Sequence, residues 1–498
     1  MASPEPREQF KAQSLHNDHK NEDSLVYGPS MPPLWKKTLT EIIKEQATKY
    51  AEREAVIVPW QSARLTYARL GERSALVAKA LLDTGVKRGE CVGIMAGNCY
   101  QYIEIFLGAG RIGSPAAVFN NTFSPQELDT MIARTGTTGL PKAAALTYDN
   151  IINNGRYVGF AMQLTENDVV CCPCPLFHCF GLVIGFLASF CSGSKIVFPS
   201  PTFDVNSTLN AVVNEKATAL LGVPTMFLSM LEALKNSSHR IETVRTGVAA
   251  ASPVPPSLMS RLEREMNIPN MLIAYGMTET SPVTFITSPK DSRDKRFTTV
   301  GRVLPHTAAK IVDADGKTLP RGARGEICTS GFALQKGYWR EEAQTEEVMR
   351  PDTEGITWMH TGDEGFLDDA GYGHVTGRIK DIIIRGGENI SPAEIEDHLL
   401  GHPGVKECCV IGLDDPRYGE LVSCFLKGTE GNRPGDQEIR DWVTSSLDRI
   451  KAPQHIFWLG DEGVDQELPK TASGKYKKHL IRAQGNALLK KQKARARI

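Results

Sequence analysis

A multi-domain α/β protein is what this chain predicts, on three observations. Its 498 residues exceed what one ordinary hydrophobic core organises, so two or more domains are expected. From Trp35 onward, amphipathic helical stretches alternate with short apolar runs that end in loops, the pattern of a sheet with helical crossovers. A stretch rich in Gly and charge, "GFLDDAGYGHVTGRIKDIIIRGGENI", then separates a large front part from a compact α+β tail. The expected divisions are a polar, disordered extension over 1–31, a large domain over 32–379, a small one over 380–485 and a basic tail over 486–498.

The elements follow in order. "LWKKTLTEIIKEQATKYAE" and "YARLGERSALVAKALLDTGV" read as amphipathic helices, the second ending near Gly85. "ECVGIMA" reads as a short buried strand, followed by a helix over "YQYIEIFLGAGRIG". Ser124, Pro125 and Glu127 form a capping-box-like start, so "PQELDTMIA" is expected to be helical. "LFHCFGLVIGFLASFC" is short for a membrane span and interrupted by His178, which favours a core helix. "ATALLGVPTMF" and "NMLIAYGMTET" read as strands running into loops. In the tail, "AEIEDHLLGHPGV" and "GDQEIRDWVTSSLDRI" read as helices, "ECCVIGL" and "LVSCFLKG" as strands.

Bulk composition narrows the function. A net charge of −1 provides no global field toward nucleic acid or membrane. Eleven cysteines, odd in number and set in apolar runs, suit a reducing compartment and buried thiols. The "CCPCPLFHC" cluster (Cys171, Cys172, Cys174, His178, Cys179) lacks a second distant ligand pair, so a buried strand and turn outweighs a zinc site. The N-terminus carries no secretory signal pattern. The terminal Ala496-Arg497-Ile498 loosely matches a peroxisomal Ser-Lys-Leu address, with a solvated basic tail in the cytoplasm as the even alternative.

Chemistry concentrates in a few motifs. "RTGTTGLPK" supplies Thr135, Gly136, Thr137, Thr138, Gly139 and Lys142: hydroxyls, compliant backbone and one ammonium. It is not a Walker A sequence, and by itself it divides evenly between a phosphate loop and a surface turn. Thr278 and Glu279 follow an apolar strand; Asp363 sits beside Gly362; Arg378 and Lys380 mark the domain junction; Lys475 lies on a Gly-containing turn near the end. Each has an ordinary alternative as a cap, a turn or a solvated charge. Their order along the chain is specific.

With "TGTTGLPK", "PLFHCFG", "GVPTMF", "AYGMTET", "TVGRVLP", "GEICTSG", "TGDEG", "GRIKDIIIRGGENISPAEIE", "GLDDPRYGE" and "PKTASGK", the chain resembles the adenylate-forming enzymes from about Pro32 to Ile481. The resemblance is strongest to acyl-CoA synthetases of the medium-chain type, including fungal ligases of siderophore and toxin pathways. It implies a large N-terminal adenylation domain of several subdomains and a mobile C-terminal domain. It also implies fatty-acid or secondary metabolism. The implied reaction has two steps: a carboxylate attacks the α-phosphate of ATP to give acyl-adenylate and pyrophosphate, and CoA then displaces AMP.

The resemblance also implies roles. The Thr135–Lys142 loop would grip the β- and γ-phosphates, and Lys475 would bridge carboxylate and α-phosphate. Thr278 would bond the α-phosphate and Glu279 would hold Mg²⁺. Tyr275 and Gly276, with Ala250, Ala251 and Ser252, would sandwich and edge the adenine. Asp363 and Arg378 would hold the ribose, and His178 would line the acyl site. Lys380 would be the hinge that swings the Gly386-Gly387-Glu388 loop in for thioester formation. Loading of a carrier protein, or a non-catalytic relative that only binds nucleotide or a partner, are the alternatives.

One departure stands out. Family members carry several strands between the "NTFSPQEL" helix and the phosphate loop, whereas here the helix runs directly into Thr135. Ala133, Arg134 and Thr135 replace the usual aromatic, Thr and Ser, and Ala143 replaces a Gly. An exon missing from the gene reading or transcript, a truly impaired protein and a tolerated shortening all fit. The first two are favoured, because removing core strands exposes sheet edges.

Overall fold

The computed structural model describes residues 22–133, 143–235, 237–429, 431–470 and 476–495. Thr135, Gly136, Thr137, Thr138, Gly139, Lys142, Lys475 and the terminal tripeptide 496–498 lie outside the described residues.

The large domain is built on a nine-stranded sheet among the described residues. Its centre is parallel: Asn270–Tyr275, Thr246–Ala249, Ala219–Gly222, Val169–Cys171, Lys195–Val197 and Glu54–Val58 lie side by side. Antiparallel strands close each edge, Ala63–Thr66 on one side, Phe285–Ile286 and Arg302–Val303 on the other. Central strands are continuous apolar runs, as burial on both faces requires; all four residues of Ala219–Gly222 and of Thr246–Ala249 are buried. Helices such as Tyr148–Ala161 and Pro256–Glu265 cover the faces. The expected core helix is present as wide π-type turns over Phe180–Leu187 continuing into Ala188–Ser192, all but the last two residues buried.

A second, antiparallel sheet contains Thr307–Val312, Gly325–Gly331, Thr357–Leu367 and Gly373–Arg378. The Gly-rich stretch read as a divider is thus partly the last hairpin of this sheet. Residues 22–31, expected to be disordered, include the strand Leu25–Tyr27, which adds to Thr307–Val312. Three apolar residues are too short a run to register as periodicity, and the open sheet edge provides the ladder.

In the small domain, Val405–Asp415 and Gly419–Gly428 form the long hairpin of a five-stranded sheet, flanked by Pro392–Leu400 and Asp436–Thr444. The basic tail expected from 486 is instead the end of the helix Lys478–Arg495. Ile481, Leu488 and Leu489 recur at helical spacing and are buried against Cys409, Leu413 and Phe425.

The expected strand at "ECVGIMA" forms as Val92–Met95, but it pairs only with Ala116–Phe119, in a separate two-stranded parallel sheet. Only Ile94 of this strand is buried, and Met95 and Val118 are 40% and 38% exposed. The helix Pro125–Ala133 follows, with Ser124 and Glu127 in the reciprocal hydrogen bonds of a capping box.

Candidate functional site

A cavity of about 570 Å³ opens where the C-terminal ends of the parallel strands meet the antiparallel sheet. Open α/β sheets place ligands at this end of their strands. Strand Thr246–Ala249 delivers Ala250 and Ala251; strand Asn270–Tyr275 delivers Tyr275 and then Gly276, Thr278 and Glu279. From the second sheet come His360, Thr361 and Gly362, and from the junction Arg378 and Lys380. His178 and Cys179 line the wall formed by the π-type helix.

Local backbone forces these residues into place. Ala251 adopts φ +74, an uncommon left-handed conformation for a residue with a side chain, which turns the chain back at the cavity rim. Gly276 has φ +157, and a Cβ there would lie 1.9 Å from the Pro282 carbonyl oxygen, so only glycine fits. Behind this turn, the fully buried Asn154 grips the 280–283 segment. Its Oδ1 accepts from Val283 N–H at 3.1 Å and its Nδ2 donates to the Val283 carbonyl at 2.8 Å.

Asp363 lies at a bulge in Thr357–Leu367, next to Gly362 at φ +69. The Tyr275 hydroxyl donates to its Oδ2 at 2.7 Å, and Arg378 Nε reaches its Oδ1 at 2.8 Å. Arg378 also donates to the Thr361 carbonyl at 3.0 Å, fixing the guanidinium against the same turn. Burial, then the adjacent Asp363 carboxylate, push the Tyr275 hydroxyl far above its ordinary pKa, so it remains a donor. An ionised carboxylate offers about four lone-pair directions, leaving capacity for a ligand's hydroxyls.

Glu279 accepts a 2.7 Å hydrogen bond from Tyr338. Burial and this carboxylate raise the Tyr338 pKa. Tyr338 belongs to a segment paired with the residues that follow the candidate phosphate loop: Trp339 N–H bonds the Ala143 carbonyl at 2.8 Å, and Ala145 N–H bonds the Gly337 carbonyl at 2.9 Å. The loop's exit and the candidate cation ligand are therefore tied through one strand-like contact. Thr278 Oγ1 lies 3.8 Å from Cys179 Sγ, and His178 Nδ1 accepts the Phe180 N–H at 3.1 Å.

Two sets of side chains have metal-binding chemistry here. Glu279 offers an oxygen suited to Mg²⁺. Glu326, Cys328 and His360 also converge, because Cys328 is the cross-strand partner of His360 and Glu326 is two residues away on the same strand. Burial, then the Glu326 charge, push the Cys328 thiol up, and Lys310 and Arg350 add positive charge nearby; the His360 Nδ1 lies 2.7 Å from Glu326 Oε2 within this trio. The "CCPCPLFHC" cysteines follow the expected strand, with Cys171, Cys172 and Cys174 buried.

The structure thus gathers His178, Ala250, Ala251, Tyr275, Gly276, Thr278, Glu279, Arg378 and Lys380 around one cavity, with Asp363 bonded to two of its walls. Gly386, Gly387 and Glu388 lie elsewhere, at the turn between Ile383–Arg385 and Glu388–Ile390, where the two glycines take positive φ. Sequence reading missed Tyr338, Asn154, Glu326 and His360. His360 stood inside the quoted "WMHTGDEG", but nothing in its spacing announced the cross-strand partner.

Comparison with known proteins places this arrangement in a class. The AMP-binding enzyme family matches residues 43–136 and 135–339, and the AMP-binding enzyme C-terminal domain matches 394–475. The chain belongs to this family, and its activity class is that of the acyl-CoA ligases. It is 41% identical to Acyl-CoA ligase sidI of Beauveria bassiana over 95% of this chain and 96% of that one. It is 43% identical to Acyl-CoA ligase cnsG of Penicillium expansum over 94% of this chain and 97% of that one. Among solved structures, ATP-bound MatB from Rhodopseudomonas palustris shares the fold with TM-score 0.80 at 24% identity, covering 90% of this chain and 99% of that one.

These alignments locate the shortening. The family match breaks into two stretches that meet at 135–136, the junction singled out by sequence. The Beauveria alignment spans 556 positions against 95% of 498 residues, so more than 80 positions face no residue of this chain. The Penicillium alignment spans 467 positions against 94% of the chain and leaves no room for such a segment. The short form therefore occurs in a second protein, which weighs against an isolated sequence error.

Proposed function

We propose that this ligase activates an aliphatic carboxylic acid with ATP and transfers the acyl group to CoA, and that the shortened chain does so without the absent segment. The observation that carries the reading is the single cavity bringing Tyr275, Thr278, Glu279 and Arg378 together beside the buried Asp363 carboxylate. Part of its lining is apolar and buried, with Phe180, Ile184 and Val283, which suits an alkyl chain.

In this reading Tyr275 and Ala251 enclose the nucleobase, while Asp363 accepts from the ribose hydroxyls and Arg378 holds that carboxylate in place. Thr278 donates toward the α-phosphate. A Mg²⁺ ion held at Glu279 would neutralise phosphate charge, the main demand of a phosphoryl-centred transition state. Lys475, carried by the small domain, would meet the developing negative charge between carboxylate and α-phosphate. Rotation about Lys380 would then exchange Lys475 for the Gly386–Glu388 turn before thiol attack.

Incubation of the purified chain with MgATP, CoA and a panel of short to long aliphatic acids tests this, read by mass spectrometry. Acyl-CoA and AMP are expected. Acyl-adenylate that forms yet transfers only to a pantetheinylated carrier protein would replace CoA as the acceptor. Folded protein that forms neither product with any acid would overturn the reading.

A further inference from the structure

Glu326, Cys328 and His360 are gathered by the second sheet itself. Glu326 and Cys328 stand two residues apart on Gly325–Gly331, which puts their side chains on one face. Cys328 is the cross-strand partner of His360 on Thr357–Leu367. His360 Nδ1 lies 3.4 Å from Cys328 Sγ and 2.7 Å from Glu326 Oε2, and the three donor atoms all fall within 4.8 Å of one another. Glu326 is anchored by its other oxygen, because Oε1 accepts the Gly362 N–H at 2.9 Å. No other trio of such side chains converges among the described residues.

These separations match a tetrahedral ion. Bonds of about 2.0–2.3 Å place neighbouring ligand atoms about 3.3–3.8 Å apart, so the sulfur and the ring nitrogen already stand at that spacing and the carboxylate oxygen need move back by roughly 0.6 Å. Cys328 is fully buried behind the cavity wall, whereas Glu326 and His360 line it. The nearby cations have partners of their own: Lys310 Nζ sits 4.2 Å over the Trp358 ring, and Arg350 Nε donates to the Glu347 carbonyl at 2.8 Å.

We propose that these three side chains form a zinc site, with Cys328 Sγ, His360 Nδ1 and one Glu326 oxygen as ligands and the fourth position open to the cavity. A thiolate and a carboxylate together cancel the charge of Zn²⁺, and binding releases to solvent the thiol proton and any proton on Nδ1. Sulfur and imidazole suit zinc and not the hard Mg²⁺ ion, so the two metals do not compete here. Bound zinc clips the two strands together and stabilises the folded chain. The site stands whether or not the proposed reaction does.

Titration of the metal-free full chain with Co²⁺, a spectroscopic stand-in for zinc, tests this. One equivalent should give a thiolate-to-cobalt charge-transfer band and the visible absorption of a four-coordinate ion, both displaced by equimolar Zn²⁺ and untouched by excess Mg²⁺. Cys328→Ser should lose the charge-transfer band, and Cys91→Ser, at an exposed thiol, should keep it. His360→Gln should weaken zinc by about tenfold or more in competition with a chromogenic chelator, with thermal unfolding run beside it to establish the fold. Cys328 is packed in a core, so if Cys328→Ser does not fold, His360→Gln decides the matter. No band at one equivalent, a band that survives in folded Cys328→Ser, or unchanged zinc affinity in His360→Gln would overturn the site.

Discussion

The nine-stranded sheet and the two-stranded sheet are built from the same kind of parallel strand, yet they end up in opposite conditions. In the first, central strands such as Ala219–Gly222 are buried throughout and deliver side chains to the cavity from their C-terminal ends. In the second, Val92–Met95 and Ala116–Phe119 have only each other, and Met95 and Val118 are substantially exposed. Parallel pairs are normally covered on both faces, and two strands alone contribute little stability. The difference teaches where the shortening falls. The family match breaks at 135–136, shortly after the two-stranded sheet, and the described walls of the cavity are assembled.

The predictions run from the largest effect to the smallest. Lys475→Ala should lower adenylate formation by about 10²-fold or more, the scale of losing one transition-state charge partner, while thioester formation from supplied acyl-adenylate persists. Rapid-quench assays of each half-reaction check this, and equal loss of both would remove the proposed role. Gly276→Ala should destabilise the large domain by on the order of 3 kcal/mol or more, because backbone must move to admit a Cβ. Urea unfolding measures it.

The comparison itself is sharpened by paired truncations. Leu221→Ala in the nine-stranded sheet should cost about 2–5 kcal/mol, and Val118→Ala in the small sheet within about 0.5 kcal/mol. Similar costs at both positions would break the contrast. Glu54, on the strand next to the Ala63–Thr66 edge of the large sheet, gives the smallest effect. Arg64 hydrogen bonds, opposed by partial burial and joined by Lys195, lower its pKa to about 2. A depressed folded pKa stabilises above the ordinary carboxylate range, and that stability is lost as pH falls through about 2. Glu54→Gln should therefore be less stable at pH 7 by on the order of 1 kcal/mol, and the gap should close toward pH 2.

Much of this was legible in the sequence because the signals were local. The Ser124–Glu127 capping box announced its helix, and the apolar run before Tyr275 announced a strand ending at a functional loop. The site's composition was legible through motifs that each sit on one turn. Other features depended on partners distant in sequence. Leu25–Tyr27 is a strand only because Thr307–Val312 has an open edge. Tyr338 meets Glu279 across 59 residues, and His360 meets Glu326 across 34. The exposure of Val92–Met95 was equally hidden, since its apolar pattern promises burial that only additional strands would supply. Residues 135–142 and Lys475 lie outside the described residues.

Carboxylate-dependent exchange of labelled pyrophosphate into ATP tests the central claim most directly, that the shortened chain retains a working adenylation site. It should be measured on folded protein across aliphatic and hydroxylated acids. The account predicts exchange with at least one acid, lowered by about 10²-fold or more in Lys475→Ala. No exchange with any acid, from protein that is folded and binds MgATP, would contradict it.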